Sequence, residues 1–91
     1  MTNDIVTLMT AVGEIVGRLK SETDNEYVIE TPRLFAQTQE GVGFVPGICM
    51  TGAKDPKEAS IRKETVLFVV KTDDMIAKSW IQQTTGIVLA S

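Results

Sequence analysis

The sequence has no histidine, one cysteine and only 5% aromatic residues. Zinc and haem centres are built largely from histidine and cysteine ligands, so this composition excludes almost every such site. It also excludes the Ser-His and Cys-His arrangements that activate a nucleophile. Because only carboxylates and lysines remain as general bases, we expect a non-enzymatic protein with no catalytic residue, no metal and no cofactor.

Long apolar runs are also lacking. No segment approaches the roughly 18–20 apolar residues of a membrane helix, and the first residues do not show the basic-then-apolar pattern of a secretion leader. The single cysteine, Cys49, stands among apolar residues, which favours a buried structural role. One cysteine also fits a reducing compartment. The sequence predicts a cytoplasmic protein that has no membrane partner.

Basic residues are outnumbered, with nine Lys and Arg against twelve Asp and Glu, and the net charge is −3. Proteins with a broad nucleic-acid footprint usually show a basic face, which this balance excludes. The charges are nevertheless uneven, because residues 1–30 hold six acids and two bases whereas residues 31–91 hold six acids and seven bases. A small basic site in the second part of the chain is therefore compatible with the composition.

What is present is an ordinary globular composition in a short chain. The 91 residues are 43% hydrophobic and 23% charged, which predicts one folded domain over residues 1–91. A domain of this size buries only about 60–65% of its unfolded surface. The core is therefore small, and contacts with other subunits would add to its stability.

The N-terminal segment shows helical spacing. Ile5, Leu8, Met9 and Val12 stand at i, i+3, i+4 and i+7, which predicts a short amphipathic helix over about 3–12. The frequent Val and Thr residues favour a strand as the competing interpretation.

After Gly13 the period changes to two. Ile15, Gly17 and Leu19 alternate with other residues, the pattern of a half-buried strand. Turn and breaker residues at 24–25, Pro32 and 46–47 divide the next segments into further strand candidates. Residues 51–60 form the longest polar stretch and predict a variable loop.

The most apolar run, Val66–Val70, cannot face one core as a strand because alternate side chains point to opposite faces. Another element or a second subunit must therefore cover one face, and this run is the strongest indication of a homo-oligomer. The next segment, 73–84, is ambiguous. Asp73 and Gly86 suit the two ends of a helix, whereas a turn at 72–74 would lead into a strand, and periodicity does not decide between them. Trp80 should be buried in either case.

Two motifs carry a resemblance to a known family. The segment IVGRLK supplies an apolar-x-Gly-x-Leu pattern, and FVVKTDDMIAKSW shows two apolar residues, a base, polar turn residues and a return to apolar residues. This order resembles the Sm-like (LSm) proteins, including divergent members from phages and marine metagenomes. The resemblance implies a mainly β fold, with a short N-terminal α-helix followed by a strongly bent five-stranded antiparallel sheet that forms an open barrel.

The family's mode of assembly implies partners and site residues. Strand pairing between about 64–72 of one subunit and 75–82 of the next would close a homo-oligomeric ring, so the resemblance favours a strand at 75–82. It further implies binding of single-stranded RNA, with Arg33 and Lys71 on phosphate or base edges, a hydroxyl donor from Thr72, and Thr31 positioning its loop. The alternative function is a structural or assembly ring that binds protein, for example one encoded by a phage, and the acidic composition favours it.

Overall fold

The computed structural model describes residues 1–45 and 47–86. It is mainly β, with one antiparallel sheet of six strands and a C-terminal helix. The strands are β1 (Ile5–Thr10), β2 (Gly13–Glu22), β3 (Glu26–Thr38), β4 (Gly41–Val45), β5 (Glu58–Arg62) and β6 (Val66–Lys71). A single turn of 3-10 helix (Lys63–Thr65) joins β5 to β6, and the helix α1 spans Asp74–Thr85.

The strand order is β4-β3-β2-β1-β6, and β5 also pairs with β3. One edge of the long strand β3 pairs with β2, and its other edge is shared by β5 at Glu26–Glu30 and by β4 at Leu34–Thr38. Within residues 1–45 and 47–86, β6 pairs with β1 alone. The sheet is therefore open, with β6 at one end and β4 and β5 at the other.

The core lies on one face of this sheet. The period of two along β1 and β2 turns alternate side chains to that face, and the buried cluster consists of Val6, Leu8, Ile15, Leu19 and Ile29. Among the described residues this buried cluster is small, as the length of the chain predicts.

The helix α1 packs against the opposite face. Trp80, only 3% exposed, donates a hydrogen bond from Nε1 to the carbonyl oxygen of Thr31 at 3.0 Å. The guanidinium of Arg18 lies 5.7 Å from the centre of the indole ring. The expected burial of Trp80 is confirmed. Val16, whose side chain is also on this face, is buried as well.

The predicted helix over about 3–12 is wrong, because Ile5–Thr10 is the strand β1. Here the alternation of buried Val6, Leu8 and Thr10 matters more than the helical spacing. A short isolated helix is marginal in water, whereas β1 pairs with β2 on one side and with β6 on the other.

The predicted strand at 75–82 is also wrong, because these residues belong to α1. The carboxylate of Asp73 caps the helix by accepting hydrogen bonds from the backbone N–H groups of Met75 and Ile76, at 3.0 and 3.4 Å. Gly86 ends it with a left-handed φ of 76°. Segment 75–82 therefore has no strand to pair with about 64–72 of a neighbouring subunit.

Two further expectations are corrected in the segment between β4 and β5. The irregular chain covers 47–57 among the described residues, since β5 already begins at Glu58 inside the predicted loop 51–60. Cys49, expected to be buried, is exposed.

A backbone kink interrupts β3 at Thr31, whose φ is 43°. A β-branched residue is strained in the left-handed region, at a cost of about 1–2 kcal/mol. The hydrogen bonds of the Thr31 backbone, to the Lys57 carbonyl at 2.8 Å and from Trp80, hold this conformation in place.

We expect Thr31→Gly to raise the free energy of unfolding by about 0.5–1 kcal/mol, because the relief of strain exceeds the entropic cost of glycine. Urea unfolding measures the change. Thr51→Gly, at an exposed residue whose φ is not positive, is the control and should be neutral or slightly destabilising. If Thr31→Gly lowers the free energy of unfolding by as much as Thr51→Gly does, the backbone at Thr31 is not strained.

Candidate protein-interaction surface

Within residues 1–45 and 47–86, the open side of β6 presents unpaired backbone groups. Thr72 donates its N–H to the carbonyl oxygen of Ile5 at 3.0 Å, which extends the β1–β6 ladder by one hydrogen-bonded pair. Hydrogen-bonded pairs alternate in an antiparallel ladder, so Val70 and Phe68 also direct their backbone groups toward β1. By the same alternation, the backbone groups of Val69 and Lys71 point to the open side. A β-bulge at Leu67 ends this alternation, because Met9 pairs with Phe68 whereas Thr10 pairs with Val66. We call the row formed by Val69 and Lys71 the β6 edge.

Apolar side chains flank the β6 edge. Leu67, Phe68 and Val70 are 72%, 52% and 47% exposed. From Val66 to Val70 the strand contains no charge, no proline and no glycine. Natural proteins usually protect a sheet edge with such residues, because an open edge can pair with another chain. Before Lys71, β6 has no charged residue and no proline, and its irregularity is the β-bulge at Leu67.

The strands at the other end of the sheet are better protected. The strand β5 carries exposed Glu58 and Arg62 at its two ends. Glu58 forms an ion pair with Lys20 at 2.8 Å, and its hydrogen bond and charge raise the pKa of Lys20 above the ordinary value. The strand β4 is short and contains Gly41 and Gly43, which weaken strand pairing.

A groove of about 350 Å³ adjoins β6 on the face that carries α1. Its lining combines four apolar, three charged and two hydroxyl side chains, Val16, Phe35, Val70, Ile76, Glu14, Lys71, Asp73, Thr7 and Thr72. An apolar lining with a few charged groups suits the side chain of a bound partner. Lys71 belongs to both features and Val70 flanks the edge, so the groove is continuous with the β6 edge.

Two of the predicted RNA contacts, Thr31 and Arg33, are occupied by internal interactions. The Arg33 side chain is 11% exposed, forms an ion pair with Asp55 and donates a hydrogen bond to the Pro32 carbonyl at 2.9 Å. The carbonyl of Thr31 accepts the hydrogen bond from Trp80.

The other two, Lys71 and Thr72, line the groove. Lys71 is exposed, whereas Thr72 is buried and its hydroxyl is hydrogen-bonded to that of Thr7 at 2.9 Å. The strand register places Arg33 on the row of Val70, three strands away. That separation is roughly 14 Å at about 4.8 Å per strand. The structure therefore does not bring Arg33 and Lys71 together.

Other types of site find little support in the described part of the chain. No cluster of three or more His, Cys, Asp or Glu side chains there could hold a metal ion. Over the same residues, no helix is both long and apolar enough to cross a membrane.

Comparisons with protein-family models, with curated proteins and with solved structures found no match to this chain. Its function must therefore be argued from its own residues.

The groove is not predicted from the sequence, and neither is the role of Phe35, which packs edge-to-face on Phe44 with ring centres 5.0 Å apart. One sequence signal could have found it. In β2 the side chains opposite the core belong to Glu14, Val16 and Arg18. The apolar Val16 between two charged residues indicates that this face is covered as well.

Proposed function

We propose that this chain is a non-enzymatic assembly subunit that associates with a second copy of itself through the β6 edge. The observation that carries the proposal is the β6 edge, whose backbone groups have no partner among the described residues and which is flanked by exposed Leu67, Phe68 and Val70. Adding a strand to this edge would satisfy the backbone groups and bury apolar surface in one step.

A second copy is the partner that best matches this edge. A second copy contributes an equally apolar strand, which has no charged residue from Val66 to Val70. The other strands that could pair with it are less suited, because β5 has charged residues at both ends and β4 contains glycines. Two-fold pairing of identical surfaces is the commonest symmetry in soluble oligomers. The buried cluster of the described residues is also small, so subunit contacts would add to the stability of the fold.

Sedimentation equilibrium over a range of concentrations tests the proposal. We expect the mass of the wild-type protein to approach that of two chains, while Phe68→Lys remains monomeric at the same concentrations. A lysine at this position is exposed in the monomer, so circular dichroism should show an unchanged fold. Val42→Lys is the matched control, because Val42 is exposed on β4 and lies outside the β6 edge.

The measured mass also tests the ring that the Sm-like resemblance implies. Because 75–82 is helical, a ring would have to join each β6 to β4 or β5 of the next subunit. A closed species larger than two chains would favour that arrangement. A folded wild-type monomer at every concentration would refute self-association altogether.

RNA binding stays a prediction of the resemblance, and Lys71 is the exposed base among its four proposed contacts. Fluorescence anisotropy with a short single-stranded RNA at low salt tests it. The assembly function predicts that Lys71→Ala and Lys54→Ala behave alike. A several-fold loss of affinity for Lys71→Ala alone, with binding that weakens as salt rises, would favour an RNA-binding protein instead.

A further inference from the structure

We infer that two copies pair their β6 strands antiparallel about a two-fold axis at Val70, so that Val69 of each copy faces Lys71 of the other. This inference rests on the proposed self-association and specifies its geometry. It follows from the backbone groups of β6 that point away from β1 and from the position of the groove beside them.

The ladder between β1 and β2 gives the same direction for the β6 edge as the ladder between β1 and β6. Asp4 accepts a hydrogen bond from β2 at its carbonyl oxygen, so by alternation Val6 and Leu8 also direct their backbone groups toward β2. The residues of β6 opposite these two are Lys71 and Val69. Both are therefore in pairs without hydrogen bonds, and their N–H and C=O groups point to the open side.

An axis at Val70 pairs all of these outward groups. Because the bulge at Leu67 ends the regular alternation, the ladder available to a second strand consists of Val69 and Lys71. Placing each opposite the other, twice across the axis, gives roughly four hydrogen bonds at two per pair. The aliphatic stem of Lys71 then covers Val69, while its ammonium stays in water.

Other axes pair fewer of the outward groups. With the axis at Val69, this residue faces its own copy and Lys71 faces the bulged Leu67, so the regular ladder forms roughly two hydrogen bonds. An axis at Lys71 sets two like charges directly opposite each other, which is destabilising. With the axis at Phe68, the outward groups of Val69 and Lys71 no longer meet at all. Axes between residues set outward backbone groups against inward ones and break the ladder.

The side chains on the groove face also favour the axis at Val70. The two Val70 side chains face each other at a position without hydrogen bonds, where side chains approach most closely. Phe68, two residues earlier, lies on the same face and comes opposite Thr72 of the other copy. Thr72 and Ile76 line the groove, so the half-exposed ring of Phe68 is covered there by the second copy.

Disulfide trapping distinguishes the registers. In a non-hydrogen-bonded antiparallel pair the Cα atoms are about 4.5 Å apart, and a disulfide tolerates about 4.4–6.8 Å, whereas diagonal neighbours are about 7–8 Å apart. We would make Val70→Cys and Phe68→Cys as separate variants, each combined with Cys49→Ser because the native Cys49 is exposed. Both sites are about half exposed in the single chain, so the variants should keep the fold. Each variant is oxidised alone and as an equimolar mixture, and intact mass identifies which chains are joined.

We expect rapid self-linking of Val70→Cys, with slow self-linking of Phe68→Cys and slow linking between the two variants. Val42→Cys on β4, in the same background, should not cross-link. Rapid linking of Phe68→Cys to Val70→Cys would move the axis to Val69, and rapid self-linking of Phe68→Cys would move it to Phe68. Either result overturns the register while leaving self-association intact.

A wild-type dimer in which Val70→Cys links no faster than Val42→Cys would also overturn the register. The mass of Phe68→Lys then shows whether the β6 edge is still the interface. A wild-type monomer at every concentration would overturn the proposed function itself.

Discussion

Gly17→Ala is expected to lower the free energy of unfolding by about 2–3 kcal/mol, the upper range for an over-packed core position. An added Cβ would overlap Cγ2 of Ile29 and lie 2.8 Å from the carbonyl oxygen of Glu30 and 3.3 Å from Cα of Pro32. Two of these three atoms are backbone and cannot rotate away. The glycine allows β2 to approach β3 closely where β3 bends, so the substitution must displace the bend itself.

Urea unfolding of Gly17→Ala and Gly43→Ala measures this effect. Gly43 is also in a strand and has negative φ, but a Cβ there would meet no atom within 4 Å. We expect Gly43→Ala to be neutral or slightly stabilising, since alanine reduces the entropy of the unfolded chain. If the two variants differ by less than about 0.5 kcal/mol, which is the scatter of ordinary surface substitutions, the close approach at Gly17 does not limit the fold.

The second large effect is expected for Trp80→Ala, at about 3–5 kcal/mol. Trp80 is the one fully buried residue of α1, so its removal leaves a cavity between the helix and the sheet. It also leaves the carbonyl of Thr31 without the 3.0 Å hydrogen bond. For a domain whose total stability is about 5–15 kcal/mol, such a loss is a large fraction.

Trp80→Phe separates the two contributions. Phenylalanine keeps most of the apolar contact but cannot donate a hydrogen bond, so we expect a smaller loss than for Trp80→Ala. Met75→Ala, on the exposed side of the same helix, is the control and should change stability by less than about 0.5 kcal/mol. Equal unfolding midpoints for Trp80→Ala and Met75→Ala would show that α1 contributes little to the domain.

Much of the sheet follows from local sequence. The alternation of Ile15, Gly17 and Leu19 predicts β2, and the structure confirms it because a period of two places them on one face whatever their neighbours are. The composition also excludes histidine-based chemistry without any knowledge of the fold. The helix signals Asp73 and Gly86 were present as well, but a strand stayed open beside the helix, and the family resemblance favoured the strand.

Tertiary structure decided the rest, because it brings together residues that are far apart in sequence. Helical spacing in the first twelve residues was overridden by pairing with β6, whose partner residues lie about sixty positions later. Arg33 was a reasonable anion contact by sequence, but the fold supplies Asp55 as its partner. From sequence alone, the apolar run Val66–Val70 indicated that another element or a second subunit covers one of its faces. Only the strand order shows that one side of β6 pairs with β1 and that its other side is open, since an edge is a property of the assembled sheet.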